Sequence, residues 1–272
     1  MRIARTIADV RAALAARPLG ASVGFVPTMG ALHLGHASLL AAARKENNVA
    51  VASVFVNPAQ FGPGEDFERY PRDEEADVRA LAEAGTDVAF FPDVQEMYPP
   101  GFKTWVDVAE VSRGLEGDAR PGHFRGVATV CLKLFHIVEP DRVYFGQKDA
   151  QQVEVIGRML VDLDLDLEVE LRVLPTVRDE DGVAMSSRNA RLSTEEREAA
   201  RALPRALFAG ADAYRYGGHP VPVARTVLLG ERRLEPEYVE VASWNGKLVL
   251  AAAVRAGATR LIDNVVLEES RA

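Results

Sequence analysis

The chain contains little cysteine, little lysine and no long apolar run. Cys131 is the only cysteine in 272 residues, which excludes a disulfide within the chain. It stands in the apolar stretch 127–137, as a packed side chain in a reducing compartment would. No apolar run is long enough to span a membrane, and the amino-terminal residues carry no secretory h-region. These absences predict a cytoplasmic protein without a membrane partner.

The charge balance of the chain also gives no indication of nucleic-acid binding. The formal net charge is −8, so no broad basic surface for a phosphate backbone is expected. Only five lysines occur, and one of them, Lys148, stands in a turn with Gly146. A chain of 272 residues can bury one large core, or a main core with a smaller one beside it.

Strand and helix patterns alternate over the first two-thirds of the chain. The predicted strands are 22–26, 49–56, 88–91, 142–145 and 167–173, and the predicted helices are 36–45, 73–83, 124–138 and 150–160. The first, second and fourth of these strands are nearly continuous apolar runs, as expected of parallel strands that are buried on both faces. The alternation predicts an α/β fold, a doubly wound parallel sheet with right-handed crossovers. Ligands of such sheets bind beyond the carboxyl ends of the strands.

The pattern changes between residues 174 and 190. A polar loop leads to a helix that is expected to be capped by Ser193 or Thr194. Further elements are predicted after it: a helix at 221–229 and short strands at 238–242, 248–254 and 261–267. We therefore predict two domains, 1–176 and 177–272, of which the second is a smaller α+β domain.

The most informative stretch is 25–40, where an apolar strand passes through two glycines into a helix. His33 and His36 stand where this helix is expected to begin. A helix start presents unpaired N–H groups and a partial positive charge, and Gly30 and Gly35 let the backbone approach a bulky anion. Two imidazoles add hydrogen-bond donors. The stretch therefore predicts a cradle for a nucleotide triphosphate.

Two other interpretations of these histidines stay open. Each could be a hydrogen-bonded core residue. A zinc site is the weaker alternative, because no Glu or Cys stands close enough in sequence to complete a ligand set. A P-loop is excluded, since no Gly-Lys-Ser/Thr follows the glycines.

Asn57 and Gln60 follow the second predicted strand in a polar turn. Their neutral amides can donate and accept hydrogen bonds, which suits a small hydroxy acid without repelling its carboxylate. Turn chemistry alone also accounts for Asn57, because Asn-Pro commonly ends a strand. Gln60, beside Phe61, is the stronger candidate.

Arg120, His123 and Arg125 cluster where the helix 124–138 begins. Positive charge at a helix start is unfavourable for the dipole unless an anion is near. Two interpretations stay open, a role near the substrate and a role in loop structure.

The segment 145–152 again leads from a strand through a glycine into a helix. Lys148 can place a compact charge on phosphates, and Asp149 can cap the helix or bind a ribose hydroxyl. Gln152 lies one turn further along the same face.

The loop 177–189 joins the two predicted domains and contains Met-Ser-Ser-Arg at 185–188. Two hydroxyls and a guanidinium on a mobile loop suit a departing pyrophosphate.

Over residues 22–190 the chain resembles the pantoate–β-alanine ligase family of the nucleotidylyltransferase superfamily. The resemblance rests on strings that occur in one order: Pro-Thr-Met-Gly-Ala-Leu-His-Leu-Gly-His, Asn-Pro-Ala-Gln-Phe, Tyr-Pro-Arg, Arg-Pro-Gly-His-Phe-Arg-Gly-Val and Met-Ser-Ser-Arg. It implies a Rossmann-like sheet, a smaller domain that acts as a lid, and a homodimer. It also implies condensation of pantoate with β-alanine through a pantoyl adenylate. ATP with Mg²⁺ is then a co-substrate, AMP and pyrophosphate are released, and no organic cofactor is tightly bound.

The resemblance also assigns residues to roles. Catalysis is expected to depend on His33, His36, Lys148 and Arg188. ATP binding is expected at Pro27, Met29, Gly30, Ala31, Leu32, His33, Leu34, Gly35, His36, Gly146, Gln147, Lys148, Asp149, Val177, Met185, Ser186, Ser187 and Arg188. Substrate binding is expected at Asn57, Gln60, Tyr70 and Gln152.

The resemblance suggests that Asp77 is a Mg²⁺ ligand, because carboxylates are hard oxygen donors, although a solvated helix face is the default for an acidic residue. The family commonly has Glu where Gln147 stands, and this departure leaves only the contribution of position 147 open.

Two rival functions follow from the same histidines. A transferase on this fold would attach AMP or CMP to a phosphorylated substrate, and should lack the Asn-Pro-Ala-Gln-Phe and Arg-Pro-Gly-His-Phe strings. A non-catalytic nucleotide sensor would bind ATP without any AMP release that depends on β-alanine.

Overall fold

The computed structural model describes residues 1–244 and 246–269, and the chain divides into two compact units. The first comprises Met1–Gly146 and Gln151–Leu174; the second comprises Gln147–Ala150 and the chain from Pro175 onward. The short segment 147–150 thus packs with the second unit, although both of its flanks belong to the first. The division of roles between domains 1–176 and 177–272 stays a prediction.

Six described strands of the first unit form one parallel sheet. They are β1 (Arg2–Ala4), β2 (Val23–Thr28), β3 (Val49–Val54), β4 (Val88–Phe90), β5 (Arg142–Gly146) and β6 (Glu170–Leu174). Their order across the sheet is β1-β4-β3-β2-β5-β6. The predicted α/β fold with a doubly wound parallel sheet is confirmed.

Helices cover both faces of this sheet. They are α1 (Ile7–Ala15), α2 (Leu34–Glu46), α3 (Glu74–Glu83), α4 (Val94–Met97), α5 (Leu115–Ala119), α6 (His123–Val138) and α7 (Ala150–Asp162). Successive strand residues point to opposite faces: Phe25 joins the core that contains α1, α6 and α7, whereas Val26 joins the core that contains α2 and α3. Burial on both faces explains why β2, β3 and β5 are nearly continuous apolar runs.

The chain changes direction across the sheet between β2 and β5. From β2 it continues to β3 and β4 on one side, and from β5 it continues to β6 on the other. Such a switch point opens a crevice at the carboxyl ends of the two strands, where ligands of α/β sheets bind. His33 and His36 follow β2 directly.

Strand β2 runs two residues beyond its predicted end, through Pro27 to Thr28. Proline cannot donate to a strand ladder. The pairs between β2 and β5 stop at Phe25, so Pro27 lies past that ladder. This leaves one side of the strand end open beside the crevice.

The second unit contains three helices and a three-stranded antiparallel sheet among its described residues. The elements are α8 (Thr194–Ala200), α9 (Ala202–Arg215), α10 (Pro220–Gly230), β7 (Leu234–Trp244), β8 (Lys247–Ala256) and β9 (Thr259–Glu269). Leu203, Leu207 and Leu228 from the helices pack with Leu250 and Val254 of β8. The predicted smaller α+β domain is confirmed. None of the helices in the described part of the chain is long and apolar enough to cross a membrane.

Candidate active site

His33 and His36 form a reciprocal cap at the start of α2. Nδ1 of His33 accepts the amide hydrogen of Gly35 at 3.1 Å, and Nδ1 of His36 accepts the amide hydrogen of His33 at 3.3 Å. The two ring centroids are 4.1 Å apart. The arrangement is a capping box in which imidazoles replace the usual hydroxyl and carboxylate.

These contacts fix the tautomer of both neutral rings. Because Nδ1 of each ring accepts a hydrogen bond, the proton of each neutral ring is on Nε2. Two N–H donors are thereby provided at the positive end of a helix, beside the switch point of the sheet. Two N–H donors in this position can donate hydrogen bonds to the oxygens of a phosphate group.

The turn between β2 and α2 is held by Asp77 of α3. Its carboxylate accepts the amide hydrogens of Ala31 at 3.0 Å and Leu32 at 2.8 Å. Gly30 has φ +83°, and a Cβ there would lie 2.7 Å from Asp77 Oδ2. Burial raises the pKa of the Asp77 carboxyl, and the two amide donors oppose this shift.

Asp77 is 3% exposed and is therefore not on a solvated helix face. Its two oxygens already hold the backbone of the histidine loop, which favours a structural role over the magnesium role that the resemblance suggests. Within the described residues, no group of three His, Cys, Asp or Glu side chains could hold a metal ion.

Asn57 orients the amide of Gln60. Asn57 Oδ1 accepts hydrogen bonds from Ala59 N at 3.2 Å and from the Tyr98 hydroxyl at 2.8 Å. Its Nδ2 therefore faces the opposite way, and donates to Gln60 Oε1 at 3.0 Å and to Gly126 O at 3.1 Å. With Oε1 engaged, Gln60 presents its NH₂ group.

The NH₂ group of Gln60 lies 3.2 Å from Met29 Sδ, in the strand-to-helix loop that carries the histidines. Two segments that are distant in sequence, one after β2 and one after β3, thus meet at Gln60. Gln60 is 7% exposed, so a ligand oxygen that binds its NH₂ group would be largely removed from water.

Arg120 and His123 hold the backbone of the same turn. Arg120 donates to Gln60 O at 3.3 Å and forms an ion pair with Glu65 at 2.7 Å. His123 Nδ1 is 2.9 Å from Gln60 O, and its Nε2 is 3.1 Å from Arg120 Nη1. A carbonyl only accepts and a guanidinium only donates, so His123 is neutral with its proton on Nδ1. Burial, with a smaller contribution from Arg120, lowers the pKa of His123 to about 4.

Arg120 and His123 thus contribute to the structure of this loop, and a role near the substrate stays a prediction. Arg125 lies apart from them, with its guanidinium 5.1 Å from the ring centroid of Trp105 and 3.3 Å from Asp107. Tyr70 is buried, with its ring centroid 5.9 Å from that of Phe61.

The two adjacent glutamines of α7 have different environments. Gln151 is buried, and its amide accepts from Glu116 N and donates to three carbonyls of the preceding loop. Gln152 is half-buried, and its amide makes no hydrogen bond within the part of the chain that is described. Gln152 therefore has the donor and acceptor capacity that ligand binding requires, and Gln151 does not.

In the second unit, the segment 147–149 is held by β9. Asn264 Nδ2 donates to Gln147 O at 2.9 Å and to Lys148 O at 2.8 Å. The Gln147 amide returns a hydrogen bond to Asn264 Oδ1 at 3.1 Å. The Lys148 ammonium lies 3.2 Å from Asp149 Oδ1.

The serine and arginine loop is anchored within the same unit. Ser186 caps a short 3₁₀ helix at Ser187–Arg191 by accepting from Arg188 N at 3.3 Å. Asn189 Nδ2 donates to Ala184 O at 3.0 Å. The preceding turn is fixed by Arg178, which pairs with Asp263 at 2.6 Å.

The structure thus brings together two sets of predicted residues, each within its own unit. In the first unit, Asn57 and Gln60 lie beside Met29 of the loop that carries His33 and His36, and Tyr70 packs on Phe61, the neighbour of Gln60. In the second unit Lys148 and Asp149 form one group and Ser186 and Arg188 another. Asn264, Tyr98 and Gln151 were not predicted, since no local motif distinguishes them.

Comparison with known proteins gives a consistent result along the chain. A family model described as pantoate-beta-alanine ligase matches residues 2–266. A pantothenate synthetase of Acidobacterium capsulatum is 51% identical, with 100% of this chain and 99% of the relative covered. One of Pelotomaculum thermopropionicum is 49% identical, with coverages of 98% and 99%.

Solved structures agree with these relatives. The crystal structure of a pantothenate synthetase from Thermus thermophilus is similar with a TM-score of 0.92 and 46% identity, over 98% of this chain and 99% of that one. A pantoate-beta-alanine ligase of Francisella tularensis, crystallised with beta-gamma ATP and beta-alanine, has a TM-score of 0.84 and 33% identity, over 98% of each chain.

Proposed function

Because the chain belongs to the pantoate–β-alanine ligase family, we propose that it joins pantoate to β-alanine through a pantoyl-adenylate intermediate. The overall reaction is that of an ATP-dependent ligase (EC 6.3.2.1) of pantothenate biosynthesis. The proposal concerns the route and the residues that carry it.

The chemistry requires activation of pantoate before the amide forms. A carboxylate is a poor acyl donor, because oxide is a poor leaving group. In the proposed first step, a pantoate carboxylate oxygen attacks the α-phosphorus of ATP, and the bond from that phosphorus to the β-phosphate oxygen breaks. Pyrophosphate leaves. In the second step the β-alanine amine attacks the acyl carbon, AMP leaves, and the amine loses a proton.

The observation that carries the proposal is the histidine pair. Neither step needs a protein nucleophile, so catalysis rests on positioning and on stabilising phosphoryl charge. Nδ1 of His33 and of His36 is committed to the backbone, and Nε2 of each is the donor for phosphate oxygens. The donors are therefore preorganised before ATP binds.

Pantoate is assigned to Gln60. Its NH₂ group is presented by the contact from Asn57 and lies beside Met29 of the histidine loop. An NH₂ group selects an acceptor, which on pantoate is a carboxylate or hydroxyl oxygen. Gln152 is assigned as the second amide at this substrate.

The remaining charges in this proposal are those of Lys148 and Arg188. Lys148 places a compact ammonium on the phosphates, and Arg188 with Ser186 and Ser187 binds the departing pyrophosphate. Mg²⁺ is assigned to the ATP that it accompanies, because the contacts of Asp77 favour a structural role. A homodimer in the cytoplasm completes the proposal, on the basis of the resemblance and of the composition.

Product analysis tests the function. The protein with ATP, Mg²⁺ and pantoate should release AMP and pantothenate in equal amounts only when β-alanine is added. A nucleotide-linked product would instead indicate the transferase. ATP binding without turnover would indicate the sensor, and either result would overturn the proposal.

A further inference from the structure

The segment that carries Lys148 is held by hydrogen bonds from β9. Residues 147–150 pack with the second unit, while the strand before them and the helix after them belong to the first. Its main chain is held from β9, where Asn264 is 4% exposed. Asn264 donates both hydrogens of its amide, to Gln147 O at 2.9 Å and to Lys148 O at 2.8 Å.

The orientation of the Asn264 amide is determined by a third contact. Gln147 Nε2 donates to Asn264 Oδ1 at 3.1 Å, so the NH₂ group of Asn264 must face the two carbonyls. Both the oxygen and the NH₂ group of the Asn264 side chain are therefore hydrogen-bonded to residues 147 and 148. A carboxylate in its place could not donate to either carbonyl.

The backbone of Asn264 is itself fixed by its neighbour Asp263. Asp263 Oδ1 accepts the amide hydrogen of Asn264 at 2.8 Å. The same carboxylate forms a two-pronged pair with Arg178 at 2.6 and 3.0 Å, and the Asp263 side chain has 0% exposure. A bidentate, buried pair of this kind is rigid, so Asn264 is presented to Lys148 from a fixed base.

We infer that Asn264 is a positioning residue for Lys148: it places the Lys148 main chain, and through it the ammonium that acts on the phosphates. The inference rests on the role proposed above for Lys148. Rigid placement matters here because a catalytic group displaced by about 1 Å can lose on the order of 10²-fold in rate.

A double-mutant cycle separates this role from a contribution to stability alone. The variants are Asn264→Ala, Lys148→Ala and the pair, and the measurement is the rate of exchange of labelled pyrophosphate into ATP with pantoate present. Two residues that act through one another give non-additive effects. Asn264→Ala should lower the rate about 10- to 100-fold in the wild-type background and less than about twofold in the Lys148→Ala background.

Asn47 provides a matched control. It is also buried, at 7% exposure, and its Nδ2 also donates two hydrogen bonds, to Ala43 O at 2.9 Å and to the Tyr144 hydroxyl at 2.7 Å. It lies at the carboxyl end of α2, at the opposite end of that helix from the histidines. Asn47→Ala should change the free energy of unfolding but alter the exchange rate by the same small factor in both backgrounds.

A second variant covers the case in which Asn264→Ala does not fold. Asn264→Ser keeps a short polar side chain but cannot donate to both carbonyls at once. It should raise the KM for ATP little and lower the rate at saturating ATP, while calorimetry should show an unchanged affinity for pantoate.

Equal losses in both backgrounds, or a wild-type rate in Asn264→Ser, would overturn the inference. Failure of the proposed function would be recognised separately, because the wild-type protein itself would then release no AMP in response to β-alanine.

Discussion

His33 and His36 each use one ring nitrogen for the backbone of the helix that they start. His33 Nδ1 accepts from Gly35 N at 3.1 Å, and His36 Nδ1 accepts from His33 N at 3.3 Å. The structural function of each ring and the catalytic function that we propose for it therefore belong to different atoms, Nδ1 and Nε2. Substitutions can therefore remove one function and keep the other.

His33→Asn should retain the cap and lose the Nε2 donor. Asn is among the best N-cap residues, whereas Ala at an N-cap costs about 1 kcal/mol. We expect His33→Asn to unfold with nearly wild-type free energy and His33→Ala to be less stable. Both should lose on the order of 10²–10³ in the rate of adenylate formation, measured as pyrophosphate release in a single turnover. If His33→Asn keeps the wild-type rate, the ring does not contact the phosphates.

Tyr98→Phe should weaken pantoate binding without contact between Tyr98 and pantoate. The Tyr98 hydroxyl donates to Asn57 Oδ1 at 2.8 Å, and burial raises the pKa of Tyr98, so the hydroxyl stays protonated. Loss of one hydrogen bond of about 1 kcal/mol corresponds to about a fivefold rise in the KM for pantoate. The affinity for ATP should not change.

The same substitution in a Gln60→Leu background is its control. Since Tyr98 acts through Asn57 on Gln60, the effect on pantoate should disappear once Gln60 is gone. An equal effect in both backgrounds would refute this chain of contacts.

Gly126→Ala should displace the Asn57–Gln60 turn. A Cβ at Gly126 would lie 2.2 Å from Ala59 O, whereas a Cβ at Gly230 meets no atom within 4 Å. Overpacking of this kind costs about 1–3 kcal/mol. Chemical denaturation should show this loss for Gly126→Ala and no loss for the matched Gly230→Ala, and only the first should weaken pantoate binding. Equal stability of the two variants would contradict the close packing of α6 against the turn.

The free energy of unfolding should decrease as the pH is lowered, over a range set by His123. Its pKa is about 4 in the folded protein against an ordinary value of 6.5, chiefly because burial disfavours the imidazolium. Below pH 6.5 the unfolded chain takes up a proton that the folded chain does not. The stabilisation is therefore complete above pH 6.5 and is lost as the pH falls from 6.5 towards 4, by about 2 kcal/mol at pH 5.

His123→Asn removes this titration. The free energy of unfolding of the variant should decline less between pH 7 and pH 5 than that of the wild type. Parallel declines would show that His123 is not buried as a neutral ring.

The sequence predicted those features that depend on nearby residues. Strands β2, β3 and β5 are apolar runs, and α2 follows from two glycines and two histidines within a few positions. Helix α1 was missed: it is short, and its capping box of Thr6 with Asp9 lacks the usual Glu or Gln. Strand β1, of three residues, has no periodicity to detect.

The roles that stayed open depend on distant residues. Arg120 could not be assigned, because its partners Gln60 and Glu65 precede it by 60 and 55 residues. Asn264 lies 116 residues after Lys148, in a strand where it looks like any other polar position. Hydrogen bonds between residues so far apart in the chain produce no recognisable spacing of residue types in a single sequence.

The central claim is that a pantoyl adenylate forms before β-alanine reacts, and isotope exchange tests it most directly. The protein is mixed with ATP, Mg²⁺, pantoate and labelled pyrophosphate, without β-alanine. Reversible adenylation predicts that label appears in ATP, that omission of pantoate abolishes the exchange, and that His33→Asn slows it. Exchange that required β-alanine would contradict a separate adenylation step and would indicate concerted chemistry.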